Sequence, residues 1–350
     1  MPDLEKPHSD LEPDSEDISG AQQIASKVSE RVTKLAGIEK LEGFSLRDFF
    51  DEVFRRHSRD EVEEYFTVGA RSTTPAIADI DTSWPRPWVF FKTFVGAVVV
   101  YFLFVQAWKE FGNLNLVPGL IMVGSFAVPI SALIFFVEVN ARRNVSLYEV
   151  LRLVFVGGIL SLILSLVLFQ VSYALELNWL GASVAGLVEE PGKLLALFIV
   201  VNVTKYRYTL NGLLFGAAVG TGFAAFESAG YALRTLLVSP DPDAMMDIIM
   251  LRGMLAPFGH IVWTAMGGAA LWKVKGPRKF QFGMVTDVRF VRIFTIAVVM
   301  HMFWNSPLYL PFYGKYVIIG VVAWIIIFAL IQDGLKQIRE EKAELISGLT

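Results

Sequence analysis

The chain contains no cysteine and only four histidines in 350 residues. Without cysteine there is no disulfide framework, no thiol nucleophile and no thiolate metal site. An excess of one charge is also missing: 31 Lys and Arg stand against 34 Asp and Glu, a net charge of −3. No polyanion-binding surface follows from that balance, so nucleic acid is not an expected partner. The opening MPDLEKPHSDLEPDSED is acidic and lacks an apolar run; it does not read as a cleaved signal peptide, and insertion is expected to begin at the first membrane helix. What the chain has in quantity is apolar surface, with 54% hydrophobic residues and 28 Phe and a mean hydropathy of +0.51. A soluble domain of this size is not so apolar. The composition predicts an all-α, polytopic helical bundle in a membrane.

Residues 1 to about 40 are polar and read as disordered at their start. Ser45-Leu46-Arg47-Asp48 resembles a capping box, followed by Leu46, Phe49, Phe50, Val53 and Phe54 at helical spacing. This predicts a small amphipathic helix packed on the membrane domain from the cytosol. Residues 71–87 read as a linker ending in the interface anchor Trp84-Pro85-Arg86-Pro87-Trp88. About eight spans follow, near 88–108, 116–138, 150–173, 179–203, 210–236, 245–272, 290–311 and 315–332, each needing about 20 apolar residues. The expected organisation is a cytosolic segment 1–87, a transmembrane domain 88–333 and a cytosolic tail 334–350. Basic residues occupy every second loop (Arg142 and Arg143; Lys205 and Arg207; Lys273, Lys275, Arg278 and Lys279; Lys336, Arg339 and Lys342). The positive-inside rule then places both termini in the cytoplasm of a cell-membrane protein.

Four of these spans carry ionisable residues at depth. GASVAGLVEEPGK places Glu189, Glu190 and Lys193 in an otherwise apolar run, where an unpaired charge costs at least about 2.5–3.5 kcal/mol. The Pro191-Gly192 pair predicts a kink there. The next span brings Glu227, the one after it Arg252, His260 and Thr264, and the seventh His301 and Asn305. Entered near residue 179, Glu189 lies ~15 Å deep on a helix rising 1.5 Å per residue. His260 and His301 come out at similar depths, with Glu227 nearer the outer face. Glu189 and Lys193, His260 and Thr264, and His301 and Asn305 are i,i+4 pairs that share a face. Gly216, Gly220 and Gly222, with Gly267 and Gly268, offer small surfaces for close helix packing around the site.

These residue types suit water activation. A glutamate in a low-dielectric pocket beside a lysine is poised as a general base, and His and Asn can stabilise an oxyanion. Glu190, Glu227, His260 and His301 could instead hold a divalent metal such as zinc. The same buried charges would also serve an ion- or proton-coupled transporter, although no internal repeat of the transporter kind is visible. Arg252, always charged, reads as a structural partner of a carboxylate.

Four ordered motifs emerge: Glu189-Glu190-x-x-Lys193; Gly216-x-x-x-Gly220-x-Gly222-Phe223 through Glu227; Arg252, Pro257, His260 and Thr264; and His301-x-x-Trp304-Asn305. Together they resemble the motifs of the PrsW family of intramembrane proteases, distantly related to the CAAX prenyl endopeptidases. The resemblance implies an intramembrane endopeptidase of glutamic or metallopeptidase type, acting on a peptide or membrane-protein substrate in the bilayer. The CAAX relatives carry His in place of Glu in the second motif and Arg in place of Lys in the first, which argues against prenyl-peptide cleavage. The expected catalytic set is Glu189, Glu190, Glu227, His260 and His301, with Lys193 tuning the glutamates and Asn305 beside His301. A catalytically silent scaffold is the third reading. The complete polar set speaks against it.

Overall fold

A computed structural model of the chain describes residues 69–348, apart from 86, 202 and 240. The chain divides into Met1–Ser58 and Arg59–Thr350, and every described residue belongs to the second unit. The amphipathic helix expected after Ser45 lies outside the described residues. Among the described residues every regular element is helical. We number them α1 (Val89–Phe111), α2 (Val117–Val139), α3 (Leu147–Ala174), α4 (Val184–Val200), α5 (Thr209–Val238), α6 (Pro242–Leu255), α7 (His260–Lys275), α8 (Val288–Trp304) and α9 (Gly314–Ser347).

Among the described residues six stretches are long and apolar enough to cross a membrane: α1, α2 with its preceding turn, α3, α5, α6 with α7, and α9 with its preceding turn. Two of the eight expected spans fall short. α4 and α8 are 17 residues each, which at 1.5 Å per residue covers ~25 Å of a ~30 Å hydrocarbon core. They are the helices that carry Glu189, Glu190, Lys193 and His301. A sharp backbone turn lies near them, ahead of α4 rather than within it. α4 runs unbroken through Pro191, and the chain turns instead at Gly181, whose φ of 56° and ψ of −139° suit glycine alone. Gly192 is a packing residue, since a Cβ there would come within 2.5 Å of Ser165 Oγ on α3.

α5 is the axis of the bundle. Its apolar window is 94% buried inside the protein, against 6% for α1, whose Phe and Val side chains face outward. The run of Gly and Ala in α5 explains this position, because it lets neighbouring backbones come into contact. A Cβ at Gly216 would land on the Thr264 carbonyl of α7, and one at Gly212 on the Gly268 carbonyl. A Cβ at Gly220 would sit 2.6 Å from the His260 carbonyl oxygen. On its other side Gly222 abuts Val154 and Gly158 of α3. Gly268 therefore belongs to the seam, while Gly267 faces Phe294 of α8.

At one end of the bundle Asn140, Asn144 and Asn211 are buried together. Asn211 Nδ2 donates to Asn144 Oδ1 at 2.6 Å and to Asn140 Oδ1 at 3.5 Å, and Asn144 Nδ2 returns a bond to Asn211 Oδ1 at 3.3 Å. Glu138 at the end of α2 caps α1, accepting the backbone N–H groups of Trp88, Val89 and Phe90 at 2.8–2.9 Å.

Part of the stretch 71–87, expected as linker, lies against the bundle: Ile80 is buried, and Lys342 and Arg339 of α9 donate to the Ile80 and Thr82 carbonyls at 3.1 and 3.2 Å. The expected tail beyond residue 333 is the continuation of α9, 34 residues long, with Arg207 paired to Glu341 and Thr209 N–H donating to Gln337 at 2.9 Å.

Candidate active site

α4 sets two adjacent carboxylates about 100° apart around a helix, so they meet different neighbours. Glu190 turns inward. Its Oε1 accepts from Lys193 Nζ at 2.7 Å and from His301 Nδ1 at 2.9 Å. Glu189 lines a cavity of ≈ 890 Å³ bounded by α3, α4, α5 and α8, with Arg252 of α6 and His260 of α7. Its Oε2 is buried without a hydrogen-bond partner among the described residues. It lies 3.7 Å from Lys193 Nζ, 3.9 Å from His260 Nδ1 and 3.7 Å from His301 Nε2.

The carboxylates decide which nitrogens of the neutral imidazoles carry hydrogen, because an ionised carboxylate only accepts. Glu190 takes the His301 Nδ1–H, which leaves the Nε2 lone pair toward Glu189. Glu227 Oε2 stands 3.0 Å from His260 Nε2, so that nitrogen donates and Nδ1 holds the lone pair. Glu227 is itself fixed by Arg252 Nη2 at 2.6 Å, and Arg252 Nε donates to Ser228 at 2.8 Å. Each imidazole is therefore backed by a carboxylate from another helix, and its second nitrogen lies on the side of Glu189, at 3.7 Å for His301 Nε2 and 3.9 Å for His260 Nδ1. Their i,i+4 neighbours do not supply these bonds: Thr264 Oγ1 donates to the His260 carbonyl at 2.7 Å, and Asn305, the cap of α8, lines the cavity.

Two aromatic rings complete the walls. Trp263 stacks on His301 with centroids 4.7 Å apart at 26°, and meets His260 edge-on at 5.5 Å. Phe223 lies under the Lys193 ammonium at 4.1 Å. The sequence motifs do not single out Trp263. Its signal was its place at i+3 from His260, on the same face of α7.

The donor set fits a divalent metal. Ligand atoms of Glu189, His260 and His301 all lie within 4.8 Å of one another, and zinc ligands at 2.0–2.2 Å in a tetrahedron stand about 3.3–3.6 Å apart. Carboxylates behind each histidine are the usual outer support of such a centre. Charge agrees: three carboxylates, Glu189, Glu190 and Glu227, face two cations, Lys193 and Arg252, so a further positive charge is favoured in this buried layer. Lys193 opposes it in one respect, since its Nζ takes the His260 Nδ1 lone pair at 2.8 Å. Of the four residues expected to hold a metal, His260 and His301 turn toward the centre with Glu189, while Glu190 and Glu227 stand behind them.

The family model described as PrsW family intramembrane metalloprotease matches residues 146–331. Comparison with curated proteins and with solved structures gives no match. The matched region is more than half of the 350 residues and holds every residue of the cluster. The chain belongs to the PrsW family: it is a multi-pass membrane peptidase that cleaves membrane-protein substrates within the bilayer.

Proposed function

We propose that Glu189 is the carboxylate that meets the attacking water, and that Glu189, His260 and His301 together hold a divalent metal, zinc by the nature of the donors. When bound, the metal supplies a Lewis acid that polarises the scissile carbonyl and acidifies water. Glu189 takes the water's proton and returns it to the leaving amine. Glu190 and Glu227 hold the histidine tautomers through His301 Nδ1–H and His260 Nε2–H. Lys193 neutralises Glu190, which lets the two glutamates share one buried site. Asn305, on the cavity wall, donates to the developing oxyanion. The supporting observation is the contrast between neighbours: Glu190 spends its Oε1 on two donors, whereas buried Glu189 Oε2 has none among the described residues and lines the cavity.

The substrate in this reading is a single-pass membrane protein cut next to the outer face of the membrane. Both termini of the enzyme lie in the cytoplasm, because basic residues fill every second loop. The residues 88–333 form the catalytic unit. The test is cleavage of a pool of single-pass peptides by purified protein, with zinc content measured alongside. Glu189→Gln should lower kcat by about 10³-fold or more and, as the loss of a charged ligand, lower zinc content too, with excess zinc failing to restore the rate. Glu190→Gln keeps an acceptor for His301 and should act through metal affinity, lowering it about 10- to 100-fold; excess zinc should then restore its rate. Intact cleavage by Glu189→Gln, or equal and unrestorable losses in both variants, would remove this assignment.

A further inference from the structure

α5 continues beyond Glu227 along the cavity wall. Gly230, Tyr231 and Arg234 follow at helical spacing on the same face, and all three line the cavity with Glu227. Two features of this stretch have no packing explanation. Every other glycine of α5 (Gly212, Gly216, Gly220 and Gly222) is required by a neighbouring backbone, but a Cβ at Gly230 would meet nothing within 4 Å. A glycine inside a helix is less stable than alanine, and where no protein atom needs the space, the close approach of another backbone accounts for it. The second feature is Arg234, an exposed residue on the cavity wall. Its guanidinium has no hydrogen-bond or ionic partner among the described residues. Arg252, by contrast, is committed to Glu227 and lies 4.4 Å over the Tyr231 ring.

We propose that the substrate main chain runs along α5 over Gly230 and that Arg234 binds a substrate carboxylate, an acidic side chain or a free C-terminus, about three residues from the scissile bond. The distance follows from the helix. Gly230 and Arg234 lie ~4.5 and ~10.5 Å along the axis from Glu227 at 1.5 Å per residue, and an extended peptide advances ~3.4 Å per residue. Arginine suits the role because its planar fork grips a carboxylate through two hydrogen bonds. The inference rests on the placement of the reacting centre at Glu189, His260 and His301 given above.

The experiment uses full-length protein and single-pass peptides whose cleavage point has been mapped. Asp, Asn or Lys is placed two, three or four residues to either side of that point, and a further pair ends in a carboxylate or an amide. Wild type should show a KM about tenfold lower for the carboxylate peptide at one of these positions, with kcat little changed. Arg234→Glu should reverse the preference toward Lys, and Gly230→Ala should already raise KM for all peptides, with Gly230→Trp raising it further. Binding of the same peptides to the Glu189→Gln protein, read by fluorescence anisotropy, separates this inference from the assignment of catalytic roles. It should show the same order of preference without any cleavage. A KM independent of substrate charge in wild type would overturn the inference. So would a loss in Arg234→Glu that falls equally on all peptides, as expected of an arginine that serves only lipid phosphates.

Discussion

Asn140, Asn144 and Asn211 at one end of the bundle, and Glu189, Glu190, Glu227, His260 and His301 in its middle, are both polar groups buried between helices, yet they are bonded differently. The asparagines are neutral and bond among themselves, with three contacts of 2.6–3.5 Å. Such a cluster can do nothing further; it fixes the α2–α3 loop against the start of α5. The second cluster is charged and leaves capacity unused: an oxygen of Glu189 without a partner and a cavity beside it. Burying charge in this way weakens a fold unless every group is paired. The asparagine cluster is bonded within itself, whereas the charged cluster keeps a carboxylate oxygen open beside a cavity.

That contrast can be tested by exchanging the character of each cluster. The largest effect is expected for Glu189→Met, an apolar residue of similar volume. Cleavage should fall by about 10³-fold or more while stability rises by about 1–2 kcal/mol, since an incompletely paired buried charge is removed. Thermal unfolding in detergent beside the cleavage rate would read both. A drop in stability would mean that Glu189 is structural after all. Next in size, Asn211→Ala should cost about 2 kcal/mol of stability through stranded buried amides, with the rate per folded molecule unchanged. If that rate fell as well, the two clusters would be coupled. The smallest effect is expected at Glu138→Gln, which weakens the charged cap on α1 by about 0.5–1 kcal/mol and leaves cleavage alone; melting of the two proteins at low and high salt would show it, with the difference shrinking as salt rises.

Much of the site was legible because hydrocarbon makes polar residues conspicuous. Glu189, Glu190, Lys193, Glu227, His260 and His301 stood out in apolar runs, and one centre gathers them. Which of two adjacent glutamates faces the cavity was not legible, since that depends on how α4 is rotated against α8 and α5. The partners of the histidines were not legible for a related reason. Sequence spacing shows only neighbours on the same helix, whereas the bonds to His301 and His260 come from carboxylates 111 residues away in one case and on α5 in the other.

Pro191 marks α4 in the sequence as a place to bend, yet the helix continues through it because the loss of one hydrogen bond is tolerable within a packed helix; the turn ahead of α4 has a positive φ, which Gly181 supplies. The α1 cap by Glu138 joins residues 48–50 positions apart, beyond the reach of any local pattern. Polar composition after residue 333 read as a tail. Leu335 and Ile338 in that stretch are buried on α9, and two apolar residues among charges are a faint signal.

The seam between α5 and α7 has a consequence for how this enzyme can change. At Gly212, Gly216 and Gly220 the space for a side chain is filled by the carbonyls of the other helix. Every replacement of a glycine adds atoms, so there is no small step by which these positions can drift and no smaller residue to drift to. The His260 carbonyl belongs to that same wall, so a mutation that prises the helices apart also displaces a histidine of the reacting centre. Variation in this protein therefore has to enter through the outward faces of the helices, where lipid accommodates a change of volume that the seam does not.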